Sequence, residues 1–322
     1  MNAARPVRLR RSELTTPGSS PAMIAKAVDS NADVVIIDLE DAVAPDAKAA
    51  ARSNVVDALN GLDWGRSARG YRINSVDTQW CHDDVIDVVT RAGPRLDVLV
   101  VPKVMSPRDV WFVEGLLTQL ELKLGLEPQR IGLEVLIEEA QALADVDAIA
   151  ASSSRLEALV LGVGDLAASL GMRLGHIGAV PDGAGDVWAM ARHQMIVAAR
   201  AAGVEAIDGP FGDFRDLDGF EASAASFALV GGAGKWCIHP AQLDPANRIF
   251  APDADEVAEA CAAIAAVDEA TRAGDGVASF DGKMIDAATA RGFRRLLDRA
   301  AACDISPPSS PLSNPSDEEP AP

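Results

Sequence analysis

Eight short apolar runs, each followed by a segment of helical character, recur within about 260 residues, and this alternation restricts the chain more than any other feature it carries. The runs cover residues 12–16, 33–39, 70–74, 97–101, 131–137, 157–162, 204–207 and 236–239. They read as parallel strands buried on both faces. The intervening helices are expected at 22–30, 45–60, 81–92, 106–124 and 139–151, then in a helix ending at Gly203, at 217–230 and at 253–272. Only the sixth connection is long and Gly-rich, running to Asp186. Eight βα repeats in this length predict a (β/α)8 TIM barrel rather than a doubly wound open sheet.

Beyond the eighth helix the chain has no strand position left to fill. The Gly-rich link at 274–276, the segment 280–286 and a short helix to Ala302 are therefore expected to form an arm or lid outside the barrel. The expected organisation is a barrel domain over 1–273, a C-terminal lid over 274–304 and a tail over 305–322. The tail is rich in Pro, Ser and acid and has almost nothing to bury, so it is expected to be disordered.

Composition narrows the partners. Hydrophobic residues make up 48% of the chain, enough for a large core, while a formal net charge of −19 argues against nucleic acid or an anionic membrane as the main partner. Cys81, Cys237, Cys261 and Cys303 lie far apart without C-x-x-C spacing, which suggests neither a zinc site nor a disulfide framework and fits a reducing cytoplasm. Arg5, Arg8, Arg10 and Arg11 precede no apolar stretch of the kind an export signal needs, and no run reaches the length of a membrane span.

In a barrel of this kind the residues at the C-terminal ends of the strands face the active site. Collecting them gives Glu40 and Asp41, Arg72 and Asn74, Lys103, Glu138, Asp165, Asp208 and His239. Glu138 and Asp165 close two neighbouring apolar runs, and two converging carboxylates suit a magnesium ion that keeps its other positions for water and substrate. Capping or ion pairing explains either residue alone. Period-2 alternation places Glu134 on the Glu138 face, where it is expected to pair with Arg72 or Lys103. Arg72 and Asn74 share a face of their strand, so that the guanidinium either binds a carboxylate or enolate oxygen or pairs with Glu40. Glu40 and Asp41 either orient metal-bound water or cap the next helix. Lys103 divides between anion binding and a salt bridge, and His239 is expected to be a positioned hydrogen-bonder. The loop of Pro17 and Gly18, with Lys26 in the helix after it, is a weak candidate phosphate cradle lacking either Gly-rich fingerprint.

These residues also stand in an order that resembles the citrate lyase beta subunit and malyl-CoA lyase family of magnesium-dependent CoA-ester lyases. The resemblance runs from about Arg11 to Asp286. It rests on Asp38-Leu39-Glu40-Asp41-Ala42-Val43, Arg72-Ile73-Asn74, Pro102-Lys103, Ile137-Glu138, Gly164-Asp165-Leu166-Ala167, Ala206-Ile207-Asp208-Gly209-Pro210-Phe211, Gly234-Lys235-Trp236-Cys237-Ile238-His239-Pro240 and Asp281-Gly282-Lys283-Met284-Ile285-Asp286. Glu139 and Cys237 depart from the common pattern. The resemblance implies Glu138 and Asp165 as ligands of Mg2+, with Mn2+ as a substitute, and Glu40 and Asp41 as holders of the ion's waters. It implies Arg72 at the substrate carbonyl and Asp286 as acid/base, on a segment that covers the active site of a neighbouring subunit in a homotrimer or hexamer. The reaction implied is cleavage of a malyl-CoA, citramalyl-CoA or citryl-CoA type thioester to acetyl-CoA and an α-keto acid. Two other readings remain beside it: a malyl-CoA-type thioesterase, and a citrate lyase subunit acting within a multi-subunit complex.

Overall fold

A computed structural model describes residues 8–175, 177–178 and 185–306, and the expected tail beyond residue 306 lies outside that range. The chain divides into two compact units, through Phe250 and from Ala251.

The first unit runs β1 (Ser12–Pro17), α1 (Pro21–Val28), β2 (Val34–Asp38), α2 (Lys48–Gly61), β3 (Ala68–Arg72), α3 (Cys81–Ala92), β4 (Val98–Val101), α4 (Pro107–Leu124) and β5 (Gly132–Ile137). It continues with α5 (Ala140–Ala144), α6 (Val146–Ala150), β6 (Leu156–Leu161), α7 (Val163–Ser169), α8 (Ala189–Ala202), β7 (Glu205–Asp208), α9 (Leu217–Leu229), β8 (Gly234–Cys237) and α10 (Leu243–Ile249). The eight strands pair in sequence order and close into a barrel, with β8 hydrogen-bonded in parallel to β1. The alternation in the sequence is therefore realised as a (β/α)8 barrel. Alternate strand residues divide the apolar side chains: Val35 and Ile37 join the large core shared with the helices, while Val34 and Ile36 join a smaller core with Val98, Val100, Leu136 and Trp236. Helix signals act at the expected positions. Ser106 and Asp109 form a capping box that starts α4, and Gly125, at φ 68°, ends it.

Three local differences matter for the site. The expected helix 139–151 is two helices, because Asp145 leaves helical torsions at φ −106° and ψ 14°. The start of the Gly-rich sixth connection forms α7, anchored by buried Val163 and Leu166, so Asp165 sits in a helical first turn and not at a strand end. β8 stops at Cys237, which leaves His239 in the following loop.

The second unit contains α11 (Ala254–Ala273), the antiparallel pair β9 (Ala278–Phe280) and β10 (Lys283–Ile285), and α12 (Ala287–Ala302). The helix read as closing the eighth βα repeat is α11, and it belongs to this unit because Ala263 packs with Ala278, Ile285 and Ala290. Asp281 and Gly282 join the two strands with φ of 47° and 67°, the double left-handed geometry that an Asp-Gly hairpin turn favours. Among the described residues no helix is long and apolar enough to cross a membrane.

The barrel floor corrects one expectation. Glu134 lies near the N-terminal end of β5, away from Arg72 and Lys103, and its ion-pair partner is Arg10. Arg10 also pairs with Glu13 and Glu157, so one guanidinium serves three buried carboxylates. Burial pushes the Glu13 carboxyl up to about 7, against the opposing pull of Arg10. Linkage gives the sign: the native state holds this proton over a window in which the unfolded chain has lost it, so stability falls as pH rises from about 4.5 to 7. For Glu13 alone the fall amounts to about 3 kcal/mol. Urea unfolding at the two ends of that window is expected to show a shallower loss in Glu13→Gln than in the wild type; identical losses would remove Glu13 from the account.

Candidate active site

The strand ends opposite that floor bring acids and cations together. Arg72, the last residue of β3, donates Nε and Nη2 to the two oxygens of Asp38 at 2.7 Å each, and its Nη1 lies 2.8 Å from Glu40 Oε2. Asp38 ends β2 one residue before Leu39-Glu40, and it also accepts the backbone N–H of Glu40 at 2.8 Å and of Ala42 at 3.0 Å. Burial alone would raise the Asp38 carboxyl, but the Arg72 guanidinium outweighs it and holds the group below its usual range. The ion-pair alternative for Arg72 is thus present, with Asp38 as its main partner. Asp38 escapes a reading of strand ends because it falls inside the apolar run.

Lys103 links the two acid groups. Its ammonium lies 2.6 Å from Glu40 Oε1 and 3.2 Å from Asp41 Oδ1, and its backbone N–H donates to Glu138 Oε1 at 2.6 Å. That N–H is aimed by a left-handed backbone, φ 50°, which a side chain like lysine's adopts only under constraint. The salt-bridge alternative for Lys103 is the one observed. Glu40 remains raised from its ordinary range, chiefly by burial.

Glu138 follows β5 and is 1% exposed. Burial, with the charges of Glu40 and Asp165 added, pushes its carboxyl up to about 8 against the lowering effects of the Lys103 N–H and Arg72. The carboxylate seats against Gly162, where any Cβ would collide with it, so the end of β6 must be glycine for Glu138 to occupy this position. Asp165 lies half-buried three residues beyond that glycine, in the first turn of α7, and the Glu138 shift registers its charge.

Other expected site residues fall elsewhere. Asn74 is 2% exposed and lies beyond the end of β3, where it bonds Lys48, Asp84 and the Leu39 carbonyl. With Lys48, Lys103, Glu40, Asp41 and Trp80 it lines a cleft of about 260 Å³. Asp208 does not share the acidic site: it is buried against Arg192 of α8 at 2.8 Å and against Lys235, whose ammonium also meets Ser223 of α9. Strand β7 thus turns this side chain toward the helices. His239 stacks on Phe214 with ring centroids 4.7 Å apart and accepts the Ala241 N–H through Nδ1, as a positioned hydrogen-bonder. In the Pro17–Gly18 loop the Gly18 N–H is spent on the Asp38 carbonyl at 2.8 Å, and Lys26 is exposed on α1. Asp286, in the second unit, is fully exposed and caps α12; hydrogen bonds from Thr289 and Ala288 hold its carboxyl below the usual range.

The donor set suits one hard cation. Among the described residues no three carboxylate, imidazole or thiol groups are disposed to enclose a metal. Magnesium, however, binds commonly through one or two carboxylates plus water and substrate oxygens. Glu138 and Asp165 provide that number, and the ionised form of Glu138 is short of positive charge in its buried seat.

Comparison with known proteins gives the family. A family profile described as HpcH/HpaI aldolase/citrate lyase matches residues 11–240. An L-malyl-CoA/beta-methylmalyl-CoA lyase of Cereibacter sphaeroides is 43% identical over 310 residues, covering 93% of this chain and 97% of the relative. A (3S)-malyl-CoA thioesterase of the same species is 37% identical over 293 residues, covering 91% and 95%. Among solved structures, protein CitE from Mycobacterium tuberculosis in complex with magnesium, acetoacetate and coenzyme A superposes with a TM-score of 0.71 at 29% identity, covering 90% of this chain and 97% of that one.

Proposed function

Because the chain belongs to the HpcH/HpaI aldolase/citrate lyase family, we propose that it is a magnesium-dependent carbon–carbon lyase that cleaves a malyl-CoA-type 3-hydroxyacyl-CoA thioester to acetyl-CoA and an α-keto acid. The observation that carries this reading is the buried Glu138 carboxylate, bonded by the Lys103 N–H while the Lys103 ammonium holds Glu40 and Asp41, with the Asp165 charge beside it.

In this proposal Glu138 and Asp165 hold Mg2+, for which Mn2+ substitutes, and Glu40 and Asp41 orient its waters. The ion when bound supplies Lewis-acid polarisation of substrate oxygen. Arg72, kept cationic and fixed in plane by Asp38, presents its guanidinium to the thioester oxygen, where negative charge develops as the C2–C3 bond breaks. The hydroxyl proton is released to solvent, and the bonding pair passes into the CoA enolate as that oxygen becomes the keto oxygen of the departing acid. Asp286 delivers a proton to the enolate carbon and is reprotonated from solvent, so that no net proton is gained or lost. As an exposed cap Asp286 is a poor acid, so the proposal includes burial of the second unit's hairpin over a neighbouring subunit's site, in a cytoplasmic homotrimer or hexamer. Four free thiols among the described residues suit a reducing compartment.

A second reading, thioester hydrolysis, is favoured by the thioesterase relative. Malyl-CoA and citramalyl-CoA offered together with Mg2+ separate the possibilities, with products identified by mass. Glyoxylate or pyruvate beside acetyl-CoA names the lyase substrate, whereas free CoA beside a hydroxy acid makes the protein a thioesterase.

A further inference from the structure

Beneath the acidic loop after β2 lies a cation that the chemistry above does not use. Lys48, the first residue of α2, is 6% exposed, and its ammonium donates to the Leu39 carbonyl at 2.8 Å, the Glu40 carbonyl at 2.7 Å and Asn74 Oδ1 at 2.6 Å. Three protons meet three acceptors, so none remains for a ligand. Asn74 passes the constraint on: its Nδ2 donates to the Leu39 carbonyl at 2.9 Å and to Asp84 Oδ2 at 2.6 Å, and its backbone N–H gives Asp84 a further bond at 2.9 Å. Asp84 is held in turn by Arg52 at 3.1 Å, and the Trp80 ring closes over the ammonium at 5.2 Å.

Burying an ammonium is a poor way to stabilise a helix start, since a well-packed apolar side chain does as well or better. What the charge does here is positional. We infer that Lys48 is a positioning residue: by gathering the carbonyls of Leu39 and Glu40 with Asn74, it fixes the backbone from which the Glu40 side chain reaches the metal's waters. The inference rests on the role proposed for Glu40, and it makes Asn74, collected above with the residues facing the active site and expected to contact substrate, part of the scaffold instead.

A residue that acts through Glu40 loses its effect once the Glu40 carboxylate is gone. The test is a double-mutant cycle of Lys48→Met and Glu40→Gln in the full chain, read by Mn2+ affinity from the paramagnetic resonance of the free ion and by kcat/KM on malyl-CoA. Lys48→Met is expected to weaken Mn2+ binding by about 10- to 100-fold and to lower kcat/KM by about 100-fold, but to change either by less than about threefold in the Glu40→Gln background. Equal factors in both backgrounds, or a wild-type Lys48→Met protein, would overturn the inference. Should Lys48→Met fail to unfold cooperatively, Asp84→Asn takes its place in the cycle with the same criterion and an expected loss of about tenfold. The Mn2+ cycle decides the role of Lys48 even if wild-type protein proves to hydrolyse the thioester, so failure of the lyase reading and failure of this one are told apart.

Discussion

Glu138→Gln is expected to reduce lyase turnover by at least about 1,000-fold and to abolish its response to Mg2+, while the metal-free protein unfolds at a higher temperature than wild type. Both signs come from one observation. The Glu138 carboxyl is 1% exposed and pushed up to about 8, so ionising it in the folded state costs free energy that the Lys103 N–H and Arg72 offset only in part in the metal-free protein. Glutamine keeps the volume and an oxygen for the Lys103 N–H, and it removes the charge. Stabilisation together with inactivity is what a binding site bearing unneutralised charge shows, and a misfolded variant cannot show it. Activity and metal response at wild-type level would place the ion elsewhere. A lowered unfolding temperature in EDTA would contradict the electrostatic account of the site.

Asp286→Asn carries the second large effect, a fall in kcat of about 100- to 10,000-fold with unchanged Mg2+ affinity. The substitution is mild for the fold, because an asparagine oxygen caps α12 as well as aspartate does and the group is fully exposed. Its cost therefore reads on proton transfer. The proposed subunit arrangement adds a sharper outcome: Asp286→Asn and Glu138→Gln chains, each inactive, regain activity when mixed and allowed to exchange, because some sites then combine an intact Glu138 with a neighbour's intact Asp286. Absence of recovery despite exchange would confine Asp286 to its own chain's site, and full activity of Asp286→Asn alone would remove it from the chemistry.

The barrel was legible because parallel strands buried on both faces leave nearly unbroken apolar runs, and Val34–Asp38 or Gly132–Ile137 admit no other reading at that length. What sequence periodicity could not resolve was where each strand stops. β6 ends at Leu161, so Asp165 stands in a helical turn, and β3 ends at Arg72, so Asn74 leaves the alternation expected to pair the two. Glu134 and Asp208 show a second limit. Both are strand acids, yet one lies at the floor beside Arg10 and the other faces α8 and α9, since depth along the barrel axis and the choice of face depend on register. The residues missed altogether, Asp38, Lys48 and Asp84, bond Arg72, the Leu39 and Glu40 carbonyls and Asn74, and nothing in their spacing marks those contacts. The Asp281-Gly282 hairpin was within reach, because Asp-Gly between short β-prone runs is a strong turn signal.

The central claim, that this chain breaks a carbon–carbon bond at a magnesium site built on Glu138 and Asp165, is tested most directly by mass balance on malyl-CoA. Wild-type protein with Mg2+ should yield acetyl-CoA and glyoxylate in equal amounts, with no free CoA, and EDTA should stop both. Free CoA with malate, or equal yields in the presence of EDTA, would contradict it.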